Sequence, residues 1–546
     1  MVYLSTLLFS MFITLSLIPL FTKLAVRVHA MDVPNHRKVH PYPVPKSGGL
    51  AMALGAVVPV LLTAHGDPFL TAVVVGAGIV VLFGLIDDFR SLGYKAKFTG
   101  QIAGALVVVF YGGVKITSLG MLLPEGAVLP DWVAVPFTLL VIVGVSNAIN
   151  LADGLDGLAG GICLLSFICI GYLAYMGEHV SIALLSVAMA GAIFAFLRYN
   201  THPATLFMGD AGSQLMGFLA VTLCLGLTQD QGPLSPVLPL ILLGFPVLDT
   251  LTVMLERVAE GRSPFVADKN HFHHKLMRLG LYHTEAVFVV YVIQTLLVTS
   301  AFVFRFYSEW FLLMVYVLFS VAILAAFFYA DKTGWKLARY DLLDVVIKGK
   351  LRVLKEKRIL IRVSFKMVEI GLPVMLLFCC LLPANVPRNV GLLAWSFFGL
   401  TAAVLLVKRK WAGGMYRLSA YLLVPFLIYL AERYTVTWMS AQATMAYNLS
   451  FVALVLFVVL TLKYTSRKKG FKTTPMDFLI LVIVVIVPNL PDPQIRAYGM
   501  GLVAAKIVVI FFTYEVLMGE LRGELKHLGW TTMAVLGITG LRGFIG

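Results

Sequence analysis

Apolar runs of roughly 15–20 residues recur along the whole chain, close to the length a helix needs to cross a bilayer. In the first part they fall at residues 3–21, 49–64, 69–86, 98–112, 132–149, 161–176, 180–197, 213–228, 235–254, 285–304 and 310–329. Further runs lie at 366–384, 390–407, 418–432, 446–462, 475–489 and 498–518, with a weaker one at 530–545. The apolar residues are continuous within each run and do not alternate with polar ones, unlike the strands of a membrane β-barrel. The pattern predicts an all-α polytopic integral membrane protein, with a core of about 11 spans and about six or seven further C-terminal spans. The first run, Tyr3–Phe21, lacks a basic leader and a small-residue cleavage site, so it reads as a retained span.

The polar connections alternate in character. One set, which includes Lys23–Gly48, Asp87–Lys97, Arg198–Gly212 and Glu256–Glu285, carries roughly fourteen Lys and Arg, and the opposite set about two. The positive-inside rule therefore puts the first set in the cytoplasm. Every cluster of chemically capable residues falls in that set: HRKVHPYPVPKSGG (His36–Gly49), IDDFRSLGYKAK (Ile86–Lys97), NAINLADGLDGLAGG (Asn147–Gly161), LFMGDAGS (Leu206–Ser213) and ERVAEGRSPFVADKNHFHH (Glu256–His274). Structural capping alone would populate both sides, so one-sided clustering implies a single cytoplasmic site built from several helix ends.

Composition agrees with the pattern. Hydrophobic residues make up 60% and charged residues 13%, about half the charged share of a typical soluble domain. The net charge of +15 is first a topology signal and then an attraction to anionic lipid. No aromatic–basic motif supports nucleic-acid binding. All five cysteines, Cys163, Cys169, Cys224, Cys379 and Cys380, lie in apolar runs without zinc-site spacing and read as core filler.

Asn147, Asn150, Asp153 and Asp156 follow one another at intervals of three, and the glycines after them argue that the helix opens into a loop. Asp87 and Asp88 are adjacent carboxylates at the end of an apolar run, and they repel each other unless a cation neutralises them. With Asp210, and with Asp153 and Asp156 completing a set of five acids, they offer all-oxygen ligation suited to Mg²⁺ or Mn²⁺ and not to zinc. Acids set among Lys46, Arg90, Lys95, Lys97, Arg257 and Arg262 suggest a metal–diphosphate site for phosphoryl transfer. His271, His273 and His274 are too cramped for one tetrahedral zinc without another ligand and fit phosphate contact better.

Taken together these motifs resemble those of the polyprenyl-phosphate N-acetylhexosamine-1-phosphate transferases, a membrane superfamily with WecA-like and MraY branches. The resemblance covers residues 1 to about 330. It implies that a UDP-N-acetylhexosamine gives its sugar 1-phosphate to undecaprenyl phosphate and releases UMP, with Mg²⁺ required, at the cytoplasmic face of a bacterial inner membrane. It implies catalytic roles for Asp87, Asp88, Asp210 and His271, with Asp87 deprotonating the acceptor and Asp210, Asp87 and Asp88 holding the metal. Phe207 is the ring implied to stack on uracil; Asn150, Asp153 and Asp156 line the nucleotide pocket; and Arg257, His273 and His274 meet the diphosphate and sugar. Lys46 closes the phosphate side. The HxHH form resembles the WecA-like branch, where MraY enzymes carry three consecutive histidines, and so points to UDP-GlcNAc over a muramyl-pentapeptide donor. One departure is Ser91, where many relatives carry an acid or asparagine.

An MraY-type transferase and a multispan transporter are the alternatives. Transporters place coupling acids near the midplane on broken helices, whereas Asp249 is the main within-span acid here and lies toward the cytoplasmic end. The expected domains are a transferase core at 1–330, a basic amphipathic connector at 331–365 and a C-terminal extension at 366–546. The extension carries isolated acids, Glu369, Glu432 and Glu515, expected to be buried against protein. Its expected role is to pack on the core and support an oligomer such as a homodimer, or else to dock a downstream enzyme.

Overall fold

The computed structural model describes residues 2–33, 42–63, 66–90, 92–124, 126–229, 232–263, 270–336, 359–407, 411–434, 439–464, 500–521 and 526–545. Thirteen of the described helices are long and apolar enough to cross a membrane, so the chain is a multi-pass, all-α membrane protein. It divides into two compact units, near residue 338. Of the sequence-based expectations, His36, Ser91, the span at 475–489 and most of the connector at 331–365 lie outside the described residues.

The first unit contains α1 (Val2–Arg27), α2 (Gly48–Thr63), α3 (Pro68–Arg90), α4 (Tyr94–Phe110), α5 (Asp131–Ala152), α6 (Leu158–Met176), α7 (Val180–Asn200), α8 (Gly209–Thr228), α9 (Leu238–Leu242), α10 (Gly244–Ala259), α11 (Phe272–Arg278), α12 (His283–Val303) and α13 (Glu309–Thr333). Local chemistry sets the ends. Pro68 occupies the first position of α3, and the Asp67 carboxylate accepts the Phe69 N–H at 2.9 Å. At the end of α13, Gly334 takes the left-handed conformation (φ 62°) and its N–H closes on Ala330 O and Asp331 O.

The α8 helix is the axis of this unit: 94% of its apolar window is buried, against 11% for α13. A helix apolar all round belongs inside, and small residues let its neighbours close in. A Cβ on Gly217 of α8 would lie 2.7 Å from Ser146 Cα of α5, and one on Gly84 of α3 would lie 2.5 Å from Ala211 Cα of α8.

The run expected as one span at 235–254 is instead broken into α9 and α10. Pro246 lacks an N–H, and its ring clashes with the carbonyl four residues back, that of Leu242. The freed Leu242 carbonyl accepts from Gln294 Nε2 at 2.8 Å and Ser166 Oγ at 3.0 Å, and Tyr316 Oη donates to Gly244 O at 3.0 Å. Backbone interrupted at membrane depth is thus re-satisfied by buried side chains. After the break α10 carries Asp249 and Arg257 toward the polar end.

The second unit contains α14 (Ile359–Leu381), α15 (Arg388–Val407), α16 (Ala412–Arg433), α17 (Ala441–Tyr464), α18 (Met500–Leu521) and α19 (Lys526–Ile545). Gly391 of α15 and Gly543 of α19 pack backbone to backbone, and a Cβ on Gly391 would lie 2.7 Å from Gly543 Cα. Arg542 donates to the carbonyls of Cys380 at 2.7 Å and Leu381 at 2.9 Å, which α14 leaves unpaired at its end. Glu432, expected to be buried, is half-buried: it pairs with the buried Lys506, whose ammonium also lies 4.2 Å from the Tyr447 ring centroid. Glu369 is likewise half-buried and pairs with the exposed Lys366 on its own helix, at 3.1 Å. The Glu515 side chain lies outside the described residues. All five cysteines are buried and free, in keeping with core filler.

Candidate active site

The polar clusters of the first unit meet where several helices end or begin. A two-residue hairpin pairs Met31 with Pro45 and Asp32 with Val44, which places Lys46 at its exit. The next residues then run beside the start of α8: Phe207 N–H donates to Pro45 O (2.9 Å), Gly48 N–H to Phe207 O (3.0 Å) and Gly49 N–H to Met208 O (2.9 Å). A Cβ on Gly49 would lie 2.3 Å from Gly212 N, so only glycine lets the PKSGG and GDAG stretches touch.

Asp88, expected as a metal ligand, has a buried carboxylate tied to the first turn of α8. Its Oδ1 accepts the Asp210 N–H at 3.0 Å and its Oδ2 the Ala211 N–H at 3.2 Å. Helix N-terminal amides have no intrahelical partners, and a carboxylate satisfies both them and the helix dipole. Gly209 must be glycine for this clasp: its φ is +69°, and a Cβ there would lie 2.3 Å from Asp88 Oδ2. Lys46 Nζ sits 3.8 Å from Asp88 Oδ1 and 3.7 Å from Asp32 Oδ1.

Asp87 and Asp210 face a common point. Lys97 Nζ, at the start of α4, lies 2.7 Å from Asp87 Oδ2 and 3.3 Å from Asp210 Oδ1. Asp87 Oδ1 is buried with no hydrogen-bond partner among the described residues. An unmatched buried carboxylate oxygen beside a second carboxylate is a fitting place for a hard divalent cation, and the donor set is all oxygen. The residues therefore fit Mg²⁺, which Asp87 and Asp210 would hold.

The turn after α5 is fixed from three sides. Asn150 accepts from Ser213 Oγ at 2.6 Å, linking α5 to α8. Asp156 Oδ2 takes His202 Nδ1 at 2.8 Å and the Ala204 N–H at 3.1 Å. The Asp156 N–H donates to His283 Nε2 at 3.1 Å, Gly157 N–H donates to Asn200 Oδ1 at 3.0 Å, and Tyr291 Oη donates to Gly157 O at 2.6 Å. Asp156, His202 and His283 lie close enough together to suggest a metal site. The two imidazoles stack with centroids 4.2 Å apart, so their in-plane lone pairs run side by side, and His283 Nε2 already accepts a backbone N–H. The trio is a latch on the loop. Burial works to raise the Asp156 carboxyl, but His202 and the Ala204 N–H outweigh it and hold the group below its usual value. Asp156, expected to line a nucleotide pocket, thus has its carboxylate engaged within the protein. Asp153, at the end of α5, is pushed up to about 7 by withdrawal from water and then by Asp210, Asp156 and Asp88.

The histidine run enters from the other side. His271 precedes α11, and its Nδ1 lies 2.9 Å from Asp249 Oδ2 on α10, while Asp249 Oδ1 accepts the Phe272 N–H at 2.7 Å. His273 packs against the loop after α5, where a Cβ on Gly154 would lie 2.2 Å from its Nε2. Burial and its histidine neighbours push His273 down to about 3, so at neutral pH it is uncharged. The His274 ring lies against His273, with centroids 4.3 Å apart. Arg257 is buried on α10 and Phe207 is half-buried.

The structure thus gathers Lys46, Asp87, Asp88, Asp210, Asn150 and Asp153 around the ends of α3, α5 and α8, with the histidine run beside the loop after α5. Sequence reasoning passed over Asp32, His202 and His283, and gave Asp249 no role. None of these four carries a local motif.

A family model described as glycosyl transferase family 4 matches residues 70–228. The chain is 36% identical over 316 residues to a Bacillus subtilis (strain 168) protein named "Probable undecaprenyl-phosphate N-acetylglucosaminyl 1-phosphate transferase", covering 58% of this chain and 87% of that protein. It is 32% identical over 349 residues to the Escherichia coli (strain K12) "Undecaprenyl-phosphate alpha-N-acetylglucosaminyl 1-phosphate transferase", covering 62% and 93%. A Mycolicibacterium smegmatis "Decaprenyl-phosphate N-acetylglucosaminephosphotransferase" is 37% identical over 306 residues, covering 49% and 74%.

Proposed function

The chain belongs to glycosyl transferase family 4, among the polyprenyl-phosphate N-acetylhexosamine-1-phosphate transferases, and from that premise we propose that it transfers GlcNAc-1-phosphate from UDP-GlcNAc to undecaprenyl phosphate, releasing UMP. The reaction takes place at the cytoplasmic face of a bacterial inner membrane. The observation that carries this reading is the convergence of Asp87 and Asp210 on one ammonium, with a further buried oxygen of Asp87 open beside them.

In this reading an oxygen of the acceptor phosphate attacks the β-phosphorus of the donor. A new phosphorus–oxygen bond forms, the bond to the bridging oxygen breaks, and UMP leaves with that electron pair. Asp87 and Asp210 would hold Mg²⁺, which when bound would supply neutralisation of the charge that builds on the diphosphate. Asp87 takes any proton remaining on the acceptor phosphate. Asp88 works through α8: by clasping the Asp210 and Ala211 amides of its first turn it holds Asp210 in place. Lys46 and Lys97 supply positive charge at the acid cluster. Asp153, Asn150 and Phe207 line the uridine side, and Arg257, His271, His273 and His274 meet the sugar diphosphate. Two anionic substrates draw their binding from these cations.

The test is UMP release by purified protein in nanodiscs, with undecaprenyl phosphate, Mg²⁺ and a panel of UDP-sugars. UDP-GlcNAc is expected to lead the panel. Turnover only with UDP-MurNAc-pentapeptide would favour the MraY-type alternative, and no turnover with any donor would defeat the reading.

A further inference from the structure

We propose that Asp249 is a positioning residue for the transfer, acting through His271. Asp249 is 2% exposed and sits on α10, just past the Pro246 break. Its two oxygens are divided between two tasks at one place: Oδ2 takes the His271 ring at 2.9 Å, and Oδ1 takes the Phe272 N–H at 2.7 Å. The first contact requires that Nδ1 carry the imidazole proton, because a carboxylate can only accept. That leaves Nε2 as the nitrogen for substrate. The second contact caps the first turn of α11, so one carboxylate fixes both the ring and the backbone that bears it. The arrangement is that of a buried acid that sets the tautomer and direction of a working imidazole.

The surroundings favour a site role over a packing role. His271 stands beside His273, with ring planes 8° apart and centroids 5.8 Å apart, and His273 in turn lies on Gly154 of the substrate-side loop. The dyad therefore stands, through His273, beside the loop that carries Asp153. Packing alone would be met by an apolar residue at 249, whereas a buried carboxylate is retained only where it is matched by donors.

This inference rests on the proposed transfer reaction, with the donor's sugar diphosphate as the ligand that Nε2 meets. The test is a double-mutant cycle of Asp249→Asn and His271→Ala in the full chain, timed by UMP release, together with 15N-histidine NMR in nanodiscs. Asparagine keeps an acceptor for the Phe272 N–H but removes the anion that fixes the proton on Nδ1. Asp249→Asn is expected to lower kcat by ~10²-fold with KM for UDP-GlcNAc within about threefold, and to cost nothing further in the His271→Ala background. The His271 resonances, identified by their loss in His271→Ala, are expected to report Nδ1–H in the wild type and to shift in Asp249→Asn. Equal losses in both backgrounds, or unchanged His271 resonances in Asp249→Asn, would overturn the proposal. A wild-type protein that releases no UMP would sink the transfer reading instead, and the NMR comparison would still decide the dyad.

Discussion

Asp210 lies between two controls: its side chain shares the Lys97 ammonium with Asp87, and its backbone N–H is held by Asp88. Removing its charge while keeping its shape therefore tests the chemistry more than the fold. Asp210→Asn is expected to lower kcat by ~10²-fold or more with an unchanged melting temperature in nanodiscs; near-normal turnover at saturating Mg²⁺ would contradict the assignment. Asp153 makes a different kind of test. Its carboxyl is raised to about 7 in the folded chain, by burial first and then by neighbouring carboxylates, from an ordinary value of 3.8. Between those values the folded chain holds a proton that the unfolded chain has released, so stability falls as pH rises through that window. Asp153→Asn is neutral at every pH. It is expected to melt higher than the wild type at pH 7.5 in metal-free detergent, with the gain vanishing below pH 4. A gain of equal size at both pH values would show that the carboxyl's charge is not its source.

Helix ends carry the site, and glycine is what lets them meet. At Gly209 a Cβ would both strain a left-handed backbone and run into the Asp88 carboxylate. Gly209→Ala is expected to cost about 1–3 kcal/mol in stability and to depress turnover, whereas alanine at Gly144, which has open space around it, should leave turnover unaltered. Thermal melts and UMP release on the two variants check this. The same level shows what a sequence yields. The acid pair, the NLADGLDG turn, FMGD and HFHH were legible because each is a polar interruption at the end of an apolar run. Asp249, His202 and His283 were not, because their meaning lies in partners 22, 46 and 127 residues away, for Asp249–His271, His202–Asp156 and His283–Asp156. The break between α9 and α10 was hidden because its run is as apolar as any span, and only Pro246, read against the carbonyl of Leu242, carries the signal.

At the scale of the molecule, the chain divides into two compact units near residue 338, and the candidate site draws every described residue from the first. Relatives that align over 87–93% of their own length reach only 58–62% of this chain, so the remainder lies beyond what those relatives need. A chain ending at Gly334, the cap of α13, is expected to retain UMP release in nanodiscs, with a lower melting temperature or altered assembly. A truncated chain that folds and binds UDP-sugar but cannot turn over would show that the second unit contributes to the site. The central claim is that a sugar phosphate moves, and not a sugar alone. The direct measurement is the fate of the β-phosphorus in UDP-GlcNAc labelled there with 32P, with undecaprenyl phosphate as acceptor. The expected result is label in the organic-phase lipid and unlabelled UMP in the aqueous phase; labelled UDP in the aqueous phase would contradict the account.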